Sequence, residues 1–554
     1  MKNLFKICLV IGCFGLVACT GDFEEINTNP NSPEAVPSAP ILTYVERIMS
    51  GSWLGNEWYN FNESSSMAGH ITKISYIDEA RYGYRSGTIS NMFSLPYSYI
   101  RSLNRILINE EGEDGNPNMR AVALILKCYI YHVVTDHFGA TPYSEAFKAE
   151  EGILTPKYDT QESIYRDLLE VLKTASNMIV ENPTTLQSVG GADIIYGGNV
   201  TRWKKFANSL RLRMAVRMSY VDEAGARAVI SEILGNPSAY PILESNADNA
   251  RFKWPGDANY REPLSAAGQT RVDYITCSTI VNVLKELDDP RLPVYAQLTK
   301  EKDEDNAEMV YRGFIAGASG PYGNLSVFSK VGAFFSENVA GYTYHFRYAE
   351  VEFLKAEIYE RGLFTGEAET AYNAGVTASI SEYTDVSTGP KTTTEQIAPY
   401  LALPKVAYTD PELPRLTFAG NNYYEEEIIA SGVYAAGAIS DITYIPDAIE
   451  MDECANSTVK ANPRLQKIAY QKWLSLYQQG QEAWAEVRRT DIPVISAAPG
   501  RAQGWAAHNR CPTRFPYSFD EANVNKENLD AVNGGIVHMY WGQQMWWDKR
   551  VGVQ

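Results

Sequence analysis

The stretch RAVALILKCYIYHVVTDHF, from Arg120 to Phe138, is apolar on nearly every face, yet it carries Lys127 and Asp136 within it. A helix that is hydrophobic all round lies either in the middle of a large helical protein or in a membrane, and the two charges argue against the membrane. The segments around it repeat the helical pattern. Asp159 to Ile179 opens with cap-forming residues and places Ile164, Leu168, Val171, Leu172 and Ala175 on one face. Trp203 to Tyr220, Arg347 to Arg361 and Ile468 to Arg489 follow the same rule, and stretches rich in Gly, Ser and Asn separate them. Strand-like alternation is scarce and short, so the fold class is mainly α.

Further along, AEVEFLKAEIYERGLFTGEAETAYNAGVTASI, from Ala349 to Ile380, pairs two amphipathic helices across a Gly-containing turn. Ala356, Gly362, Ala371 and Gly375 fall where a tetratricopeptide repeat places small residues for close helix contact. Other helical pairs are compatible with divergent copies, although no regular period emerges; such a core needs three or more stacked units.

At the N-terminus, Lys2 and Lys6 precede an apolar run from Ile7 to Val17, the layout of a cleavable signal peptide over residues 1–18. The run is about half the ~20 residues that a membrane span requires. Leu16-Val17-Ala18-Cys19 resembles the lipobox of bacterial lipoproteins, which predicts lipid on the Cys19 thiol; the alternative is a secretory peptide without lipid. Residues 19–40, with Asp22, Glu24, Glu25 and a run of Asn and Pro, are expected to form a flexible acidic tether. Acidic residues just past the lipidated Cys resemble a surface-export signal of one phylum of Gram-negative bacteria, the alternative being plain linker composition.

The formal charge of −18 becomes more negative once the leader lysines are lost, so overall charge excludes attraction to nucleic acid or anionic lipid. Hydrophobic residues make up 45% of the chain, ample for a large core. Beyond Cys19 only Cys128, Cys277, Cys454 and Cys511 remain; sequence does not pair them, and the absence of CxxC argues against structural zinc or a redox centre. HExxH, GxSxG and Walker-type motifs are absent. His132 and His137, five apart on a helix, face different ways. No catalytic residue, cofactor or metal site is therefore expected, although two glycosidase carboxylates among so many acids are not excluded by inspection.

A family resemblance rests on residues spread through the chain. Asp136-His-Phe-Gly-Ala-Thr-Pro-Tyr-Ser-Glu-Ala146 followed by Lys157-Tyr-Asp-Thr-Gln-Glu-Ser-Ile-Tyr165 resembles the signature of SusD/RagB-like outer-membrane lipoproteins. Asp193 to Asn199, Trp203 to Arg213, Asp289 to Pro293, Arg347 to Glu357, Gln471 to Trp473, Glu482 to Arg489 and Trp546 to Asp548 continue the match in order. The resemblance implies one domain over residues 41–554, built on about four tetratricopeptide-type helix pairs, with long loops forming the ligand face. It implies a surface lipoprotein of the outer membrane that captures oligosaccharides and passes them to a SusC-like TonB-dependent transporter. The alternatives are a RagB-like peptide binder and a structural surface protein without its own ligand.

The charged family positions have structural readings. Arg211, Arg213 and Arg217 are expected to pair with carboxylates of neighbouring helices rather than form a basic face. Glu350 and Glu357 are expected to be ion-paired surface or inter-repeat residues rather than an acid/base pair, and Arg488 and Arg489 to complement a helix end.

Sugars offer weakly polar CH faces that stack on aromatic rings, and hydroxyls that take polar side chains at the edges. The tract Trp53 to Arg85 concentrates that mixture in Trp53, Trp58, Tyr59, Asn62, Tyr76, Asp78, Tyr82, Tyr84 and Arg85. The resemblance adds loops in the middle of the chain, here Asp257 to Glu262 and Gly317 through Phe328, where composition selects Tyr260, Arg261, Tyr322 and Phe328.

Overall fold

The computed structural model describes residues 36–75, 77–265, 274–302, 308–317, 325–414, 454–495, 510–534 and 540–553. Among them the helices of eight residues or more are α1 (Ser38–Ile48), α2 (Ser86–Asn109), α3 (Pro117–Phe138), α4 (Gln161–Met178), α5 (Val200–Met218), α6 (Glu223–Gly235), α7 (Ser278–Glu286), α8 (Tyr348–Glu360), α9 (Ala368–Ser381), α10 (Pro463–Ser475), α11 (Gly480–Thr490) and α12 (Lys526–Asn533). The strands are β1 (Ile71–Lys73), β2 (Thr141–Pro142), β3 (Tyr158–Asp159), β4 (Ala250–Lys253), β5 (Tyr274–Thr276) and β6 (Tyr342–Phe346). They pair only as antiparallel two-stranded ribbons, β1 with β5, β2 with β3 and β4 with β6. The mainly α class is as expected, and the first turn of α1 takes in Ser38, Ala39 and Pro40, which the sequence assigned to the tether.

Several scaffold helices start where a polar side chain satisfies one or more of their first amide groups. Asn116 accepts from Asn118 N and Met119 N ahead of α3, Thr160 from Ser163 N ahead of α4, Asn199 from Arg202 N ahead of α5 and Asn462 from Arg464 N ahead of α10. Four pairs, α3/α4, α5/α6, α8/α9 and α10/α11, form the repeat scaffold; α5 also packs on α8, α8 on α10, and α11 returns to α3. In α8/α9 a Cβ on Gly375 would lie 2.8 Å from the Phe353 ring, so glycine sets that close approach.

Ile468 to Arg489, which reads as one helical segment, is divided into α10 and α11 by residues 476–479. Gln478 takes a left-handed φ of 71°, its carbonyl accepts from Asn60 Nδ2 at 2.8 Å, and Gly480 N donates to Asn60 Oδ1 at 3.0 Å. The N-terminal tract thus fills the break, and Gly480 has no room for a Cβ against Ser65 and Asn60.

The inner helices are tied by buried ion pairs. Arg213 on α5 grips Glu350 on α8 with two hydrogen bonds of 2.7 and 2.6 Å, and Arg489 on α11 grips Glu357 on α8 in the same way. Arg217 pairs with Asp136 of α3 and Glu482 of α11, Arg211 with Glu232 of α6, and Lys472 of α10 lies 3.0 Å from Glu486. Burial works to raise the Glu486 carboxyl, but Arg489, Lys472 and Arg217 hold it well below the usual range. The arginine series therefore pairs between helices as expected, while Glu350 and Glu357 belong to the interior rather than to the surface. Arg488 and Arg489 are buried too, so specific partners, not solvent-side complementarity to a dipole, explain them: Arg488 donates to the Asp136 carbonyl at 2.7 Å and lies over Trp484.

Candidate functional site

Three segments far apart in sequence meet beside β1. Its residues Ile71, Thr72 and Lys73 oppose Thr276, Ile275 and Tyr274 of β5. Phe314 continues the arrangement, with Phe314 N donating to Thr276 O at 2.9 Å and Ser278 N to Phe314 O at 2.8 Å. Arg81, eight residues past β1 in the same tract, donates from Nε to Gly317 O at 2.7 Å. The N-terminal tract and the middle segment, both singled out in the sequence, are thereby held side by side.

The tract itself is mostly structured. Met49–Leu54 and Glu57–Ser64 form π-helical turns, which are rare and recur at functional sites. Glu79–Arg81 makes a 3₁₀ turn closed by Tyr82 in the left-handed region, and α2 starts at Ser86. Trp53, at 2% exposure, packs edge-on to Tyr99, and Tyr59 is buried nearby. Tyr82 is enclosed by Tyr540 and Trp541, and Phe328 by Phe314. These four rings are buried and present little surface of their own. Asp78 is exposed, while Tyr84 and Arg85 are half-buried beside it in the chain. Tyr260 and Arg261 are exposed on a turn beyond β4, where Asp257 Oδ1 accepts from Asn259 N and Tyr260 N, and the Tyr260 ring lies 5.7 Å from the Arg47 guanidinium of α1. Cys19, Tyr76 and Tyr322 lie outside the described residues, as do the side chains of Trp58 and Asn62.

Beneath Arg85 two carboxylates are buried. Arg85 Nε sits 2.7 Å from Glu79 Oε1, and burial together with the Glu79 charge raises the Glu63 carboxyl well above its ordinary value. Arg85 therefore has a structural duty in addition to its partly exposed position. Phe519, 51% exposed, joins Tyr84 from the other end of the chain; their rings lie 4.6 Å apart, and Phe519 N donates to Tyr84 Oη at 3.2 Å. Sequence reasoning missed Phe519 because its only local signal is the aromatic run Phe515-Pro516-Tyr517-Ser518-Phe519, which reads equally well as core.

At the axis of the helix pairs lies a cavity of about 20 Å³, lined among others by Asn60, His132, Asp136, Arg213, Gln481 and Glu482. That is room for about one water molecule, far short of the ~300 Å³ or more of a small-molecule pocket. Burial pushes His132 down to about 4 and His137 to about 3, so both rings are neutral at pH 7. Among the described residues no group of three or more His, Cys, Asp or Glu is placed to hold a metal ion, and Cys128, Cys277, Cys454 and Cys511 are free thiols.

A family model described as "Starch-binding associating with outer membrane", the second SusD-like family, matches residues 30–518. The chain belongs to this SusD-like family. Solved structures with the same architecture include a chitin-binding protein (22% identity, TM-score 0.67, covering 92% of this chain and 100% of that one). A SusD homologue from Bacteroides fragilis follows at 21% identity and TM-score 0.68 (92% and 99% covered), and another from Bacteroides thetaiotaomicron at 21% and 0.69 (93% and 99%). At these identities the likeness speaks for the fold. A comparison with curated protein sequences found no match.

In this SusD-like chain the signature residues are scaffold. Gly139, with φ 78°, ends α3; Thr141 and Pro142 pair with Asp159 and Tyr158; and Asp159 Oδ2 accepts from Tyr143 N and Ser144 N. Asp136 also accepts from Trp547 Nε1 at 2.9 Å, which docks the C-terminal segment onto the first helix pair. No helix among the described residues is long and apolar enough to cross a membrane.

Proposed function

We propose that this SusD-like protein is a cell-surface nutrient binder, anchored through lipid on Cys19, that captures oligosaccharides and passes them to a SusC-like TonB-dependent transporter. The observation that carries the reading is the meeting of the aromatic tract with the middle segment through β1, β5 and the Arg81 to Gly317 bond. The ligand face would take Asp78, Tyr84, Arg85, Tyr260 and Arg261 as its accessible groups, joined by Trp58, Asn62, Tyr76 and Tyr322. Trp53, Tyr59, Tyr82 and Phe328 would support them from below. Exposed rings and polar groups suit a polymer fragment, which stacks on rings and exchanges hydroxyl hydrogen bonds with water-exposed polar groups. The axial cavity is too small for a sugar. The family description names starch and one structural relative is a chitin binder, so both polymers are the first ligands to try.

Titration calorimetry of the full chain with maltoheptaose, chitohexaose and a peptide library tests the class of ligand. Oligosaccharide binding that Tyr84→Ala and Tyr260→Ala weaken at least about tenfold, roughly 1.4 kcal/mol, is the expected outcome. Binding to peptides alone would replace the glycan reading with the RagB-like one. Loss of the Cys19→Ala variant from the membrane fraction checks the anchor.

A further inference from the structure

Among the described residues the aromatic side chains classed as exposed are Tyr44, Phe147, Tyr260 and Phe519. Phe519 differs from the others in how it is held. The Tyr84 ring meets it at 75° with centroids 4.6 Å apart, and the Tyr84 hydroxyl accepts its backbone N–H at 3.2 Å. The preceding residue is fixed as well, since Ser518 Oγ lies 2.8 Å from Ser90 Oγ on α2 and accepts from Asp520 N at 3.1 Å. An exposed ring gripped through both its edge and its backbone loses little conformational entropy when a ligand covers it.

The surroundings select the kind of ligand. Asp520, the next residue in the chain, is exposed as well. A carboxylate beside the ring disfavours phosphates and nucleic acid, and a patch one ring wide is far smaller than the ~800 Å² that each partner buries in a standard protein interface. A single uncharged pyranose fits: its CH face covers the ring, while its hydroxyls reach the neighbouring carboxylate.

We propose that Phe519 is a ligand-contacting residue that stacks on one sugar unit of a neutral oligosaccharide, with Tyr84 as the residue that positions it, so that the two ends of the chain build the binding face together. This rests on the glycan reading above.

The test is calorimetry of the full chain with maltoheptaose and chitohexaose, comparing wild type with Phe519→Ala, Phe519→Trp and Tyr84→Phe. Phe519→Ala is expected to weaken binding about tenfold while the melting temperature stays within error of wild type, because half of the side chain is already exposed. Phe519→Trp is expected to restore the affinity and to add a tryptophan emission component that shifts on saturation with sugar. Tyr84→Phe keeps the ring but removes the acceptor for Phe519 N, and is expected to weaken binding by a smaller factor. Wild-type affinity in Phe519→Ala would overturn the assignment and leave the glycan reading standing. Absence of wild-type binding to either sugar would overturn that reading, and this assignment with it.

Discussion

Glu262 follows Tyr260 and Arg261 by only a step and is buried, with Oε2 accepting from Ser265 N at 2.7 Å. Burial pushes its carboxyl up to about 8, so at neutral pH it is mostly protonated in the folded protein and ionised in the unfolded one. The folded state then binds the extra proton, and stability falls as pH rises from about 4.5 towards 8. Glu262→Gln keeps the acceptor and removes the titration. Urea unfolding at intervals from pH 5 to 9 is expected to show the variant gaining on wild type through that window, with the gap constant above it; parallel curves throughout would refute the assignment. The buried histidines act in the opposite sense. His70, His137 and His345 are pushed to about 3 by burial, so protonation of the unfolded chain draws stability away as pH drops below about 6.5. None of this is visible in the sequence, where Glu262 is one acid in a polar loop, because the shift comes from desolvation by residues distant in the chain.

At the scale of the element, what could be read was periodicity and caps. The α4 pattern specified its buried face, while the cap is Thr160, one residue beyond the Asp159 at which the segment was read to open, accepting from Ser163 N at 3.2 Å. Thr160→Ala is expected to lower stability by about 1 kcal/mol, and Thr160→Ser to recover most of it. Denaturant midpoints measured at constant slope check this, and equal midpoints for the two variants would count against capping as the cause. The break between α10 and α11 was not readable. Apolar spacing runs straight through residues 476–479, and only Asn60, arriving from the N-terminal tract, supplies the hydrogen bonds that make a left-handed Gln478 tolerable.

At the scale of the molecule, the C-terminal segment docks onto the helix pairs. Trp547 is fully buried, its Nε1 bonded to Asp136 of α3, and Arg550 joins Asp548 at 2.8 Å and Asp491 at 3.2 Å. Trp547→Ala removes a large core ring and deprives a buried carboxylate of a donor, so a loss of about 3–5 kcal/mol is expected, within a single transition if the helix pairs unfold together. A two-step urea transition in the variant would instead show the C-terminal segment to be a separable unit. The sequence by itself determined the mainly helical scaffold, the pairing of Arg211, Arg213 and Arg217 with carboxylates and the family, because periodicity and spaced motifs are local and survive divergence. The tertiary structure decided which aromatics are free to meet a ligand. Trp53, Tyr59, Tyr82 and Phe328 carry the same local signal as Tyr84, yet they are enclosed by partners such as Tyr99, Trp541 and Phe314, whereas Tyr84 meets the exposed Phe519. Exposure is a property of what packs on a residue, and for Tyr82 and Tyr84 the packing partners, Trp541 and Phe519, come from more than four hundred positions away.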